Sequence, residues 1–130
     1  MKALLAFAAF SVATIAFSQP TDCDSMEKCQ EALKANRRSS LIHYRIAEFF
    51  FTQNNFRSSA NEFREALNGD LVPKWVEVWA HVSLGKIFDV TGQRDRALNE
   101  YRLALGTGDN TRGALGEAAK YTKDPYKRGE

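Results

Sequence analysis

Three short segments with the same ending constrain this chain more than anything else in it. They are Gln30-Glu31-Ala32-Leu33, Arg64-Glu65-Ala66-Leu67 and Arg102-Leu103-Ala104-Leu105. Ala32 to Ala66 is 34 residues and Ala66 to Ala104 is 38, so the second interval is the first plus about one helical turn. Further up each segment Ser25, Ser59 and Ala97 align, as do Cys29, Phe63 and Tyr101. A partner signature occurs twice, as Ile46-Ala47 with Phe50 and as Leu84-Gly85 with Phe88, again 38 apart. A period of this length means one supersecondary unit repeated, each copy burying its apolar face on the next.

Apolar periodicity places the elements. A helix over 24–35 carries Met26, Cys29 and Leu33 on one face and starts from Asp24 and Glu27 as a capping pair. Ser39 or Ser40 caps the next helix, Leu41 to Gln53. Asn54-Asn55 turns the chain into a helix from Phe56, ended by Gly69. Pro73 opens a helix running to about Val90, Gly92 makes the turn, and Arg94 to Leu105 follows with Gly106 as its stop. In that second hairpin, Gly85 and Ala97 let the helices approach while Phe88 and Tyr101 fill the adjoining space. A last amphipathic helix over 111–122 turns Leu115, Ala118, Ala119 and Tyr121 inward and Glu117 and Lys120 outward. Asp124-Pro125 ends it, and 124–130 reads as a mobile charged tail.

These spacings resemble the tetratricopeptide repeat, a helix-turn-helix of about 34 residues. The resemblance covers roughly Asp24 to Thr122 and implies an all-α fold: an α-solenoid of antiparallel helix pairs in a right-handed superhelix. It would comprise a half-repeat (24–35), two repeats (40–68 and 73–106) and a C-terminal capping helix (111–122), within a domain at 19–123. It also implies a protein-protein interaction module that binds a peptide or protein on the concave face lined by the first helix of each pair. Three- and four-residue spacing puts Leu41, Tyr44, Glu48 and Phe51 on one stripe, and Trp79, Val82, Lys86 and Asp89 or Val90 on the aligned stripe. Tyr44, Phe51 and Trp79 would then be aromatic anchors, or would pack into the solenoid's own core. Glu48 and Lys86, aligned, could pair across neighbouring helices. Some family members clamp a carboxylate with Lys, Asn and Arg; Tyr44, Glu48 and Ser83 stand there instead, so an apolar or mixed peptide, a helix or a second copy fits better.

Residues 1–18 stand apart. Lys2 precedes an apolar run from Ala3 to Phe17, and Ala16-Phe17-Ser18 offers the small residues of a cleavage site before Gln19. This reads as a secretory signal peptide, with an uncleaved anchor as the alternative, and places the protein in the periplasm or outside the cell. In an oxidising compartment Cys23 and Cys29 can pair. On one continuous helix they would lie about 240° apart in azimuth, which forbids a bond. A staple therefore requires the helix to start after Cys23; otherwise Cys29 is a free core thiol.

Eighteen Lys and Arg against sixteen Asp and Glu give a net charge of +2, too near neutral for nucleic acid or an anionic membrane surface as the main partner. No cofactor is implied, and no metal, because no ligand set surrounds either cysteine. His43 and His81 occupy the same register position, four residues before Ala47 and Gly85, which makes them repeat residues rather than a catalytic pair. With no nucleophile elbow or glycine loop, nothing points to an enzyme. The leading expectation is an exported binding module; the alternative is a structural or self-associating subunit of a cell-envelope assembly.

Overall fold

A computed structural model describes residues 22–129; the expected signal peptide lies outside the described residues. Six α-helices follow one another: α1 (Met26–Ala35), α2 (Ser40–Thr52), α3 (Phe56–Leu67), α4 (Trp75–Val90), α5 (Arg94–Gly106) and α6 (Ala114–Lys123), the last preceded by a 3-10 turn at Thr111–Gly113. Among the described residues there is no strand, and no helix is long and apolar enough to cross a membrane. Each helix packs on the next, α4 also meets α6, and α2 meets α4.

The two central hairpins are antiparallel and repeat at 38 residues. In the first, the Ser59 hydroxyl donates to the Ala47 carbonyl at 2.8 Å, and His43 meets Glu62 at 2.7 Å. Positions thus rise along α3 as they fall along α2. In the second, His81 meets Glu100 at 2.7 Å, the same pair moved by 38. The turns correspond too: Asn54 at φ 63° and Gly92 at φ 74° take the left-handed conformation that a tight helix-helix turn needs. Cys29, Phe63 and Tyr101, aligned in the sequence, are all buried. The longer second interval arises where α4 starts three residues earlier in register than α2, giving 16 residues against 13.

Helix α2 is apolar nearly all round because it is covered on two sides. Ile42 and Ile46 join Cys29 in a small cluster under α1, with Phe49 and Phe50 against it. Leu41, Tyr44 and Ala47 belong to the main core with Phe63, Leu84, Phe88 and Tyr101, and Phe51 packs on that side. This division resolves the Phe49-Phe50-Phe51 run, which cannot face one way.

Several boundaries differ from the sequence reading. Helix α1 is capped by Ser25, whose hydroxyl accepts the Lys28 N–H at 3.2 Å; Asp24 instead pairs with Lys28 at 2.8 Å. Cys23 is therefore outside the helix, and it is bonded to Cys29 with the Cα atoms 5.1 Å apart. Gly69 is not a left-handed stop. It is small because the 68–72 connection folds onto the start of α2, where a Cβ would meet Ser40 Oγ at 2.5 Å and the Arg38 carbonyl at 2.6 Å. There Ser40 Oγ accepts the Leu71 N–H at 2.8 Å and Asp70 accepts the Ser40 N–H at 3.1 Å. Gly106 lies inside α5, and the left-handed residue is Gly108 at φ 65°. Ala119 is exposed, whereas Ala114, Ala118 and Tyr121 are buried. Within the 124–129 tail Tyr126 is docked: it is only 8% exposed, its ring set edge-on to Tyr121 with centroids 5.2 Å apart.

Candidate functional site

A cleft of about 260 Å³ opens between α2 and α4, lined by Tyr44, Glu48, Phe51, Thr52, Phe63, Trp79, Ser83, Lys86 and Tyr126. Five residues of the expected stripes come together in it: Tyr44, Glu48, Phe51, Trp79 and Lys86. Leu41 and Val82 do not, because both point into the core and are buried. Tyr44 divides its role. It is 5% exposed, edge-on to Phe63 and to Trp75 with both centroids 5.3 Å away, so it forms the floor, and burial raises its phenol pKa. Trp79 is anchored by its indole N–H, which donates to the Thr111 carbonyl at 2.9 Å.

The expected Glu48–Lys86 pair does not form. Glu48 accepts from Arg45 at 2.8 Å, and Arg45 also grips Asp22 through two hydrogen bonds of 2.7 and 2.8 Å. That guanidinium holds the Asp22 carboxyl below the usual carboxylate range. Lys86 pairs instead with Glu117 of α6 at 2.7 Å, so Glu117 is not an outward-facing charge. The Lys86 ammonium also lies 5.2 Å from the Tyr126 ring centroid, 5.4 Å from Tyr121 and 6.0 Å from Trp79. An ammonium among three rings is attracted by each ring face, which orients the wall of the cleft.

Tyr126 escaped the sequence reading because it follows Asp-Pro in a charged tail; an aromatic stranded among Lys and Arg was the only signal. Its backbone N–H donates to Asp89 Oδ2 at 2.9 Å. Asp89 is the hub of the closing structure. Its side chain is fully buried, and it also accepts from Arg94 at 2.9 and 3.0 Å and from the Tyr101 hydroxyl at 2.8 Å.

The two histidines lie apart from the cleft, each committed to a glutamate. Hydrogen bonding to Glu62 raises the His43 pKa, burial opposes this, and the Arg37 carbonyl, 3.0 Å from Nε2, adds to it. A raised folded-state pKa stabilises the fold fully below the unfolded value near 6.5 and ceases to do so as pH rises through the folded value. Glu62→Gln should therefore lower the urea midpoint most in acid, and the gap from wild type should narrow as pH rises above about 6.5 and through the folded-state value. Midpoints measured across that range check this; a constant gap contradicts it. Among the described residues no group of three His, Cys, Asp or Glu could hold a metal ion.

No protein-family model matches the chain, and no curated protein matches it.

Proposed function

We propose that this chain is an exported binding module of tetratricopeptide type, a right-handed α-solenoid that holds a peptide or protein segment in the cleft between α2 and α4. The repeated hairpin carries the reading: the same His–Glu pair at 2.7 Å and the same left-handed turn recur 38 residues apart. Such pairs, laid side by side, curve and present their first helices inward. Export is supported by the Lys2-led apolar run of residues 1–18 and by the Cys23–Cys29 bond, a feature of oxidising compartments.

The size of the cleft limits the ligand. Small-molecule pockets run from about 300 to 1,000 Å³, so about 260 Å³ suits one or two side chains of a longer segment. With Phe51, Trp79 and Tyr126 on its walls, an apolar anchor residue fits best, as at the centre of most protein interfaces.

The test is affinity capture by the tagged full chain after crosslinking in the exported fraction, set against Glu48→Gln/Phe51→Ser. Both side chains are partly exposed, so this variant should still melt cooperatively. Capture of a defined partner should fall at least about tenfold, as expected for loss of an interface anchor. Equal recovery by both forms, or none by either, overturns the proposal. If the captured protein is the chain itself, with a sedimentation mass above the monomer, the self-associating alternative takes its place.

A further inference from the structure

A second hollow, of about 320 Å³, lies away from the cleft where α3 meets the turn between α4 and α5. Its lining includes Arg57, Arg64 and Arg96, with Phe56 and Phe88 as the apolar base. The guanidinium carbons of Arg96 and Arg64 stand 4.2 and 5.8 Å from the Phe88 ring centroid. Arg128 of the tail does not line the hollow but lies 5.5 Å from the Phe56 ring.

A guanidinium stacked on a ring keeps its N–H donors pointing sideways, in a plane parallel to the ring, where a further acceptor can reach them. The neutral amides here take only one donor each: Arg64 donates to Asn61 at 3.2 Å and Arg96 to Gln93 at 2.6 Å. Among the described residues, none of the four guanidiniums has a carboxylate within 4.0 Å, although Arg45 and Arg94 do. Two carboxylates line the adjoining hollow, Asp95 and Glu100. Glu100 is committed to His81, and Asp95 sits in the first turn of α5, where the helix N-terminus favours its charge. The lining of this hollow thus holds three arginines and no carboxylate, in a chain of net charge only +2.

We propose that this arginine hollow is a second docking surface, taking an acidic segment of a partner protein. Charge complementarity selects carboxylates, which match the guanidinium fork two hydrogen bonds at a time. Concavity and the Phe56–Phe88 base select a peptide with an apolar residue among its acids. A bilayer surface would need the arginines on a convex or flat face, and nucleic acid a longer positive track.

The experiment titrates the full chain with a capped peptide of sequence Glu-Asp-Leu-Glu-Asp-Phe-Glu, and with the same peptide carrying Gln and Asn for its acids. Inorganic phosphate and phosphatidylglycerol vesicles are parallel probes. The acidic peptide should bind with an affinity that falls as salt rises, and the amide peptide at least about tenfold more weakly, the effect of one lost charge-assisted hydrogen bond. Arg64→Gln/Arg96→Gln should weaken the acidic peptide at least about tenfold. Arg57→Glu, on an exposed side chain outside the core, should do the same and covers the case in which the double variant does not fold. Arg57 does not line the cleft, so Arg57→Glu should leave partner capture through the cleft unchanged, and the two surfaces fail or succeed separately. No peptide binding, peptide binding equal in wild type and Arg57→Glu, or Arg57-dependent binding of vesicles or phosphate alone overturns the proposal.

Discussion

Replacing Asp89 with alanine is expected to cost about 3 kcal/mol and to free the C-terminal tail. The carboxylate is fully buried, with donors from Arg94, Tyr101 and the Tyr126 backbone converging on it. Removing one partner of a buried pair typically costs 3–5 kcal/mol, because the other charge stays desolvated. Here the Arg94 side chain is 31% exposed and also donates to the Thr122 carbonyl at 2.9 Å. Its stranded charge is therefore partly relieved, which puts the loss at the low end, roughly 10–20 °C in Tm. Release of Tyr126 should let the backbone around the already exposed Lys127 and Arg128 adopt the extended form trypsin cleaves, and should open one wall of the cleft. Asp89→Asn, which keeps an acceptor, should fall in between. A melt within about 1 kcal/mol of wild type, with tail cleavage unchanged, would show that the hub does not hold the closing structure.

The same position explains why the two hairpins differ. Moved back by 38, Asp89 becomes Phe51 and Tyr101 becomes Phe63. The first hairpin fills this place with hydrocarbon. In the second, a buried carboxylate collects the Tyr126 N–H, the Tyr101 phenol and an arginine. Burial and the hydrogen bond to Asp89 both raise the Tyr101 pKa, leaving the phenol as the donor.

What could be read in the sequence follows from how local each cause is. The left-handed turn at Asn54 and at Gly92 was legible because few residues accept that backbone geometry, and each sits between two apolar-periodic segments. The five cleft residues were legible because helical spacing alone places them on common stripes. Leu41 and Val82 share those stripes but sit at their inner edge, where neighbouring helices decide exposure and spacing does not. Glu48 and Lys86 are equivalent by register, yet each took another partner, Arg45 within its own helix and Glu117 from α6. Long charged side chains choose by three-dimensional proximity, which a repeat alignment does not contain. Tyr126 meets Asp89 across 37 residues, and Gly69 answers to the backbone of Arg38. Neither contact leaves a periodic trace.

Gly85→Ala tests the close contact at the heart of the second hairpin and is expected to cost about 3 kcal/mol, the upper end for overpacking. A Cβ there would come within 2.7 Å of the Tyr101 Cδ1 and Cζ atoms. The space Gly85 leaves is thus filled by the Tyr101 ring itself. That ring cannot easily retreat, because it is fully buried and its hydroxyl is tied to Asp89 at 2.8 Å. The first hairpin supplies the natural control, since Ala47 and Phe63 occupy the equivalent places: alanine stands opposite a ring without a tether. Tyr101→Phe alone should cost about 1–2 kcal/mol through the lost hydrogen bond. Combined with Gly85→Ala it should be less damaging than the two losses added, because an untethered ring can shift to admit the methyl group. Four urea denaturation curves close this cycle. Strictly additive losses would mean that the hydroxyl tether does not hold the ring against Gly85, and that the glycine is required by the helix backbones rather than by Tyr101.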